Sequence, residues 1–477
     1  MRILALEEST SSAKALIYDS DLGIIDVQST PYPKEYCDVY TQDADGIFHC
    51  LIGTAKNILT RQNKNIDAIS LSSIWPCLLL LDRQYRPLTK ILTWADTSCA
   101  STVAKYKALY SAQSFYKSTG CTMHSIYGLW KYIHLRDTQP EIIDRAATIT
   151  SQGGYLAYQL TGENVCSKSS ASANGFLNVH TLYWDEHALT FAGITVDKLP
   201  KLCEASDVFS LSKKAAKLLG LREGIPVIIG GGDGALNQLG SSATKSGIMT
   251  FSMGTSAAIR LSQKSGITRD ISLWCYYLTE GIRLIGAATS GAGNCVNWFK
   301  NTLLSGNFSF SELESKMKTA DKVNAPVFLP FLFGERCPGW NDLRKGGFVG
   351  LTGSHTTGEL YYSLLEGILF NVYQCYEKIV ENASAPSKII VSGGITNSIP
   401  WLQMASDIFK VPMCVSKEEH ASIMGAVVLA LNSFGQISSY DEYTSPIEMV
   451  IEPDGQRAAH YAIRYKDYLE KYQNAIF

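Results

Sequence analysis

The sequence has no C-x-x-C pair, although it contains 12 cysteines among its 477 residues. Scattered cysteines exclude the zinc and disulfide frameworks that depend on close spacing. We expect them to be small buried side chains in a reducing compartment. No apolar run reaches the length of a membrane-spanning helix, and Glu7 and Glu8 come too early for a secretory segment. The sequence therefore predicts a cytoplasmic protein without a membrane partner.

A basic excess is also missing, because 42 Lys and Arg are balanced by 44 Asp and Glu, for a net charge of -2. Nucleic-acid binding requires basic residues that neutralise phosphates, so we expect no nucleic-acid partner. With 46% hydrophobic residues, the chain is globular, and its length exceeds that of a single core. Two domains are therefore expected.

Short apolar runs alternate with segments of helical period, which is typical of an α/β protein. The clearest helix is predicted over residues 359–380, and residues 114–160 also show a helical pattern. A small polar stretch at 241–247 predicts the domain boundary, which gives domains of residues 1–242 and 243–477. The candidate strands are residues 3–6, 15–18, 66–71, 78–81, 227–230, 248–251, 283–286, 327–329 and 389–391.

One turn-forming pattern of small and hydroxyl residues occurs twice, each time between apolar strand-like runs. The first copy contains Thr10 and Ser11, and the second contains Gly254 and Thr255. Backbone N–H groups at such reversals can converge on an anion. A single copy reads as an ordinary β-turn, whereas the repetition predicts two related domains that bind the phosphates of a nucleotide between them.

Asp233 is the most informative single acid, because it follows a predicted strand and three glycines and precedes a predicted helix. Carboxylates at the carboxyl end of a strand are in the usual ligand position of α/β sheets. Asp233 is therefore a candidate general base for phosphoryl transfer, and the alternative is a helix cap.

Two acids precede the first turn. Glu7 directly follows the strand and is a candidate Mg²⁺ ligand, either directly or through water. Glu8 is expected to be a solvated acid at the strand end.

Two further segments suit ligand binding. Gly393 and Gly394 end a predicted strand shortly before a helix, which is a common seat for a nucleotide. Trp94 and Asp96 combine a ring and a carboxylate, which suits the C–H faces and hydroxyls of a polyol. Gly425 either lines the same pocket or lets two helices pack closely.

Together these residues resemble the FGGY family of carbohydrate kinases over nearly the whole chain. The most specific similarity is the run Gly346 to Leu351, followed by Glu359-Leu360 and the stretch that ends at Glu366. Within this family the chain resembles the gluconokinases, through residues 174–182, Trp184-Asp185 and Trp274-Cys275-Tyr276.

The resemblance implies two actin-like ATPase domains of the ribonuclease H type with an interdomain cleft. It implies ATP and Mg²⁺ as cofactors and a small sugar or sugar acid as partner, with transfer of phosphate to a primary hydroxyl, as from gluconate to 6-phosphogluconate. Asp233 would be the base and, with Glu7, hold the metal, while Trp94, Asp96 and Asp233 would bind the sugar. ATP would contact Thr10, Ser11, Gly254, Thr255, Gly293, Gly393, Gly394 and Asn397.

The chain departs from the family pattern mainly in its first half. Glu7 and Ser9 occupy positions where Asp and Gly are usual, and Ser9 restricts a position at which glycine allows close approach. Pro76 replaces a usual histidine, and Ser98 replaces a usual arginine.

Several alternatives follow from these departures. A ketose kinase of the xylulokinase type is the runner-up, and a pseudokinase that binds without turnover is an alternative of a different class. An assembly protein with the same fold is weaker still. Lys131 and Arg336 are candidate partners for a substrate carboxylate. The sequence leaves a homodimer open.

Overall fold

The structure, a computed structural model, describes residues 1–62, 65–264 and 266–474. The chain forms two compact units. Unit 1 comprises Met1–Thr244, Ser262–Leu284 and His420–Thr444, and unit 2 comprises Lys245–Leu261, Ile285–Glu419 and Ser445–Phe477. The boundary at 242/243 for two sequence domains stays a prediction.

The strands of the described residues are short and fall in both units. They are β1 (Arg2–Glu8), β2 (Ser12–Asp19), β3 (Gly23–Pro31), β4 (Thr41–Gln42), β5 (Ala68–Ser73), β6 (Leu79–Leu81), β7 (Ile91–Leu92), β8 (Thr148–Thr150), β9 (Val165–Ser167), β10 (Lys201–Cys203), β11 (Val208–Ser210), β12 (Pro226–Gly232), β13 (Ile248–Met253), β14 (Ala257–Gln263), β15 (Trp274–Thr279), β16 (Ile282–Thr289), β17 (Val327–Leu329), β18 (Gly347–Val349), β19 (Lys388–Gly393), β20 (Met413–Ser416) and β21 (Ile447–Ile451).

Helices connect these strands. They are α1 (Ala44–Arg61), α2 (Ala100–Lys107), α3 (Ala112–Thr119), α4 (Gly128–Thr138), α5 (Pro140–Arg145), α6 (Gln152–Thr161), α7 (Lys168–Ser172), α8 (Glu186–Ala192), α9 (Lys213–Leu219), α10 (Asp233–Gly240), α11 (Gly293–Trp298), α12 (Phe310–Lys318), α13 (Thr357–Asn382), α14 (Ile399–Phe409), α15 (Ala421–Ser433) and α16 (Gly455–Asn474). Single turns of 3₁₀-helix cover Val196–Lys198, Gly394–Asn397 and Tyr440–Glu442, and a π-helical turn covers Phe299–Leu303.

The main sheet of unit 1 has the strand order β11-β12-β5-β1-β2-β3. Strands β1, β5 and β12 are parallel, while β2 is antiparallel to β1 and to β3. The apolar run of β1 is fully buried because the strand lies inside the sheet. The carboxyl ends of the three parallel strands therefore meet at one edge.

Unit 2 repeats this arrangement. In its sheet the strands follow the order β16-β14-β13-β19-β20-β21. Strand β14 is antiparallel to β13, whereas β13, β19 and β20 are parallel. The equivalent position to β1 is therefore taken by β13, and the second copy of the turn pattern follows it as the first copy follows β1.

The predicted long helix is confirmed as α13. Thr356 caps it, and Glu359 closes a capping box by bonding back to the Thr356 backbone. The helical prediction for residues 114–160 was incomplete, because β8 interrupts that stretch. Its sequence Thr148-Ile149-Thr150 is entirely β-branched, and such residues favour strands.

Helix α15 joins unit 1 although it lies near the end of the chain. A Cβ on Gly240 would overlap the Ala421 carbonyl, and a Cβ on Gly425 would overlap the Leu236 carbonyl. Gly425 therefore allows α10 and α15 to pack closely. This is one of the two roles that the sequence predicted for it, the other being to line the ligand pocket. Ser70 Oγ also donates to the Ala426 carbonyl at 2.7 Å. Among the described residues, no helix is long and apolar enough to cross a bilayer.

Candidate active site

One group of candidate site residues lies at the carboxyl edge of the unit 1 sheet. Ser72 of β5 pairs with Glu7 of β1 on one side and with Gly231 of β12 on the other. Asp233 follows β12 directly and is the first residue of α10. The topology therefore brings Asp233 to the same edge of the sheet as Glu7 and the first turn.

Asp233 is half-buried, and its Oδ1 accepts a hydrogen bond from the Gly234 N–H at 2.7 Å. The N-cap position is held by Gly232, so Asp233 is not the cap of α10. A carboxylate in the first turn of a helix is stabilised in its charged form by the helix dipole. The half-buried carboxylate of Asp233 thus lies at the N-terminus of α10.

Gly232 is required by the packing of a tryptophan. The Trp75 ring lies so close to Gly232 that a Cβ there would overlap the indole. Trp75 is 8% exposed and meets Tyr276 edge-on, with ring centroids 5.1 Å apart. The backbone immediately before Asp233 is therefore covered by an aromatic side chain, next to the Pro76 that departs from the family pattern.

The first turn accommodates Ser9 without strain. Ser9 is not among the described residues with positive φ, so the position does not require glycine. The Ser9 hydroxyl donates to the Ser12 carbonyl at 2.8 Å and accepts from the Ser12 N–H at 3.1 Å. Ser11 is exposed at the tip, and its carbonyl accepts from the Tyr32 N–H. The substitution of the usual glycine therefore stabilises the turn locally.

Two buried glutamines support this turn from behind. Gln42 Nε2 donates to the carbonyls of Ser9 and Thr10, at 3.0 and 2.9 Å. Gln42 Oε1 accepts from Gln152 Nε2 at 2.7 Å, and Gln152 Oε1 accepts from the Ile74 N–H at 2.9 Å. Both glutamine side chains are fully buried. This amide relay ties the turn to the backbone that precedes Trp75, and no spacing in the sequence signalled it.

Glu7 is buried and engaged on both carboxylate oxygens. Its Oε1 lies 2.7 Å from Lys14 Nζ, and its Oε2 accepts from Ser72 Oγ at 3.0 Å. Each oxygen has a further lone pair. The lysine and the hydroxyl hold the carboxylate in a fixed orientation at the end of β1.

Glu8 was predicted to be solvated, and this is wrong. The side chain is 1% exposed, and its Oε1 has no hydrogen-bond partner in the described chain. Burial raises the pKa of Glu8 to about 8, because a charged carboxylate is disfavoured away from water. The Tyr32 hydroxyl, also buried, likewise has no partner among the described residues. Glu8 is therefore a largely neutral group under the turn.

Trp94 contacts the first turn, and Asp96 follows Trp94 two residues later in the chain. Trp94 Nε1 donates to Thr10 Oγ1 at 3.3 Å. Asp96 is held by Ser98, whose N–H donates to Oδ1 at 3.1 Å and whose hydroxyl donates to Oδ2 at 3.0 Å. Ser98, at the position where the family usually has arginine, thus binds both carboxylate oxygens of Asp96.

Lys131 also binds Asp96. Its ammonium donates to the Asp96 carbonyl and lies 3.3 Å from Asp96 Oδ2, and the lysine side chain is 0% exposed. Arg336, in unit 2, is buried and donates to the Thr289 carbonyl. Both residues had been candidate partners for a substrate carboxylate, and in the structure each already has a protein partner.

A second group of candidate site residues lies at the carboxyl edge of the unit 2 sheet. Gly254 and Thr255 follow β13 and are exposed. The Gly293 N–H donates to the Gly254 carbonyl at 3.0 Å, and the Asn294 N–H donates to the Thr255 carbonyl at 3.1 Å. The start of α11 is therefore held against the second turn, and a Cβ at Gly293 would not fit.

Gly393 and Gly394 lie beside the same turn. Gly393 ends β19, pairs with Met253 of β13 and has a φ of 87°, which favours glycine. Gly394 begins the 3₁₀ turn that ends at the exposed Asn397. Ser398 then caps α14. The structure brings Gly254, Gly293 and Gly393 together at one exposed edge.

Comparisons with known proteins agree with this architecture. Residues 2–240 match the FGGY family of carbohydrate kinases, N-terminal domain, and residues 249–434 match the C-terminal domain. The chain is 32% identical to a gluconokinase of Bacillus subtilis (strain 168) over 93% of this chain and 90% of that protein.

Solved structures show the same similarity. A gluconate kinase from Lactobacillus acidophilus superposes with a TM-score of 0.92 at 29% identity, covering 98% of this chain and 97% of that chain. A ligand-bound xylulose kinase from the same organism has a TM-score of 0.92 at 28% identity, covering 98% and 97%. The predicted two-domain actin-like ATPase fold is confirmed. FGGY kinases take ATP as phosphate donor and small sugars or sugar acids as acceptors, and this chain belongs to the FGGY family of carbohydrate kinases.

Proposed function

We propose that the chain phosphorylates gluconate, with ATP as donor and 6-phosphogluconate and ADP as products. The similarity to gluconokinases supports the choice of substrate. The observation that carries the chemistry is the position of Asp233. It is the first residue of α10, and it lies on the sheet edge that also holds the loop of Thr10 and Ser11.

Asp233 acts on the acceptor hydroxyl. Its carboxylate accepts the proton of the primary hydroxyl as the oxygen forms its bond to the γ-phosphorus, and the bond from that phosphorus to the β-γ bridging oxygen breaks. The proton remains on Asp233 until it passes to solvent, and ADP leaves with the electron pair. In phosphoryl transfer the protein contributes mainly positioning and electrostatic stabilisation.

The sugar is bound by residues of unit 1. Trp94 offers an indole ring that is partly exposed, and Asp96 offers carboxylate oxygens for hydroxyls. Because Lys131 and Ser98 fix Asp96, its acceptor oxygens keep one orientation.

The nucleotide phosphates are bound by the two turns. Thr10 and Ser11 contribute from the first turn. The unit 2 edge contributes the second turn, the start of α11 and the glycine pair, and the residues are Gly254, Thr255, Gly293, Gly393, Gly394 and Asn397. Backbone N–H groups at such turns and at helix N-termini suit anionic phosphates.

A magnesium ion fits the donor chemistry of the unit 1 edge. Mg²⁺ is usually held by one or two carboxylates, waters and substrate phosphates rather than by a protein cage. Among the described residues no group of three or more candidate ligands forms such a cage, and Glu7 and Asp233 are the carboxylates in place. Glu7, already bonded to Lys14 and Ser72, would hold the ion through water. When bound, magnesium neutralises charge on the β- and γ-phosphates.

A xylulokinase-type activity is the second candidate, since the xylulose kinase structure superposes as well as the gluconate kinase structure. Pro76, at a position where that subgroup usually has histidine, favours gluconate. The unstrained Ser9 turn argues against loss of turnover. A cytoplasmic location and a homodimer remain predictions.

The test is ADP formation from ATP and magnesium with gluconate, xylulose, ribulose or glycerol as acceptor. We expect gluconate to give the highest kcat/KM, and we expect Asp233→Ala to lower kcat by about a hundredfold or more. Asp197→Asn, in an exposed 3₁₀ turn of unit 1, is the matched control and should retain activity. Preference for xylulose would move the chain to the second candidate. ATP binding without turnover on any acceptor would contradict both.

A further inference from the structure

A cavity of about 590 Å³ lies within unit 1, bordered by α3, α4 and α8. Cavities of about 300–1,000 Å³ are typical of small-molecule sites. None of the residues assigned to the sugar, the nucleotide or the metal lines it. The cavity therefore calls for an occupant other than the substrates of the kinase.

The walls are aromatic. Tyr110 and Phe191 meet edge-to-face with ring centroids 4.5 Å apart, and Phe115 and Trp130 meet edge-to-face at 5.4 Å. Tyr110 is 51% exposed, so its ring is accessible to a ligand. Mutually perpendicular rings present both faces and edges, so a flat apolar body can pack against them.

The edge of the cavity carries one lysine and two histidines. Lys117, His180 and His187 line it, and no Asp or Glu does so among the described residues. His180 Nε2 donates to the Lys117 carbonyl at 2.8 Å, which fixes the imidazole on the rim. Within the described chain, neither Lys117 Nζ nor the His187 ring has a hydrogen-bond or ion-pair partner. Charge complementarity therefore favours an anionic group on the occupant.

A buried donor lies in the same wall. Trp130 is fully buried, and its Nε1–H has no acceptor among the described residues. Buried donors are normally paired, and an unpaired one often marks a missing water or ligand. The wall thus contains a polar group that the protein itself does not satisfy.

We propose that this cavity is a binding site for a small aromatic carboxylate. The ring packs against Tyr110 and Phe191, and the carboxylate lies beside Lys117 and His187. The proposal concerns unit 1 alone, and it stands whether or not gluconate is the substrate of the kinase.

The experiment uses para-fluorophenylacetate as probe and fluorine NMR of the full chain as readout. We expect saturable binding in the millimolar range or tighter, which persists when ADP is present in excess. The neutral analogue para-fluorophenylacetamide should bind more weakly, because it lacks the charge. Displacement by ADP would place the probe at the nucleotide site and overturn the proposal.

Substitutions test the carboxylate contact and the aromatic contact separately. Lys117→Gln combined with His187→Gln should weaken binding by about tenfold, as expected for the loss of one exposed charge pair and one hydrogen-bond donor. Tyr110→Ser, at a half-exposed side chain, should weaken binding without unfolding the chain. Lys213→Gln, at an exposed residue of α9, is the control and should bind normally. Equal binding by all variants would overturn the proposal.

A second copy of this chain is the competing occupant. In that case light scattering would show a dimer that Tyr110→Ser dissociates, and the probe would not bind to the wild-type chain. That result would also overturn the proposal.

Discussion

Lys131 and Asp96 are paired in the interior of unit 1, 3.3 Å from Nζ to Oδ2, with the lysine entirely shielded from water. They are 35 residues apart in the sequence. Removing one member of a buried pair leaves an uncompensated charge, which is more costly than the pair itself is stabilising. Lys131 is therefore the residue that fixes Asp96.

Lys131→Met is expected to lower the free energy of unfolding by about 3–5 kcal/mol. It should also raise KM for the sugar, because Asp96 loses its fixed orientation. Chemical denaturation and acceptor titration measure both effects. Ser98→Ala is the comparison, since the Ser98 N–H still donates to Asp96, and only about 0.5–1.5 kcal/mol should be lost. An unchanged KM in Lys131→Met would remove Asp96 from the sugar site.

Gln42→Leu is expected to raise KM for ATP and to lower kcat, because the carbonyls of Ser9 and Thr10 lose their common donor. It also leaves the Gln152 amide without its acceptor, which costs about 1–3 kcal/mol of stability. Steady-state kinetics with ATP as the varied substrate measure the effect.

Two further variants isolate positioning from stability. In Gln42→Leu/Gln152→Leu both partners become apolar, so stability should partly recover while KM for ATP stays high. Gln159→Leu, on the same helix as Gln152, should leave KM for ATP unchanged. If the double variant recovered kinetics together with stability, the relay would be structural only.

The raised pKa of Glu8 predicts that the free energy of unfolding depends on pH. Its pKa is raised by burial from 4.5 in the unfolded chain to about 8 in the folded one. The folded state therefore holds the proton over a window in which the unfolded state has released it. The contribution of Glu8 to the free energy of unfolding is fully present below pH 4.5 and is lost as the pH rises towards 8.

Glu8→Gln should remove this dependence, because the amide stays neutral. Urea denaturation from about pH 5 to about pH 8 should show the wild-type free energy of unfolding falling by several kcal/mol relative to the variant, at about 1.4 kcal/mol per pH unit. Parallel curves for the two proteins would show that Glu8 is charged in the folded state.

Arg464 of α16 and Glu366 of α13 form a buried ion pair in unit 2. Their closest atoms are 2.7 Å apart, and Arg464 also donates to the carbonyls of Ala325 and Pro326. Burial raises the pKa of Glu366, and the guanidinium opposes that rise. Arg464→Met should therefore destabilise the fold by about 3–5 kcal/mol.

Adding Glu366→Gln to Arg464→Met should restore part of that loss, because no buried charge then remains. Lys378→Met, in the exposed pair with Glu381 on α13, should change stability by less than about 1 kcal/mol. Thermal denaturation compares the three variants. A loss in Lys378→Met equal to that in Arg464→Met would contradict the role of burial.

The sequence predicted the helices and strands correctly where the pattern that defines them is local. The strand before Asp233, the helix after it and the capped helix α13 follow from periodicity, glycines and capping residues. The burial of Glu8 was predicted wrongly, because alternation along a strand does not reveal that both faces of the strand are covered. The contacts of Gln42 with Gln152, 110 residues apart, depend on tertiary structure and leave no trace in spacing.

The packing of α15 against α10 has a consequence for synthesis of the chain. Leu236 and Gly240 lie against the backbone of α15 at residues 421–425, and domains that fold during translation begin with the segments already made. The first unit therefore lacks one of its helices until nearly the whole chain has left the ribosome, and a fragment of residues 1–242 would emerge with that face of α10 uncovered.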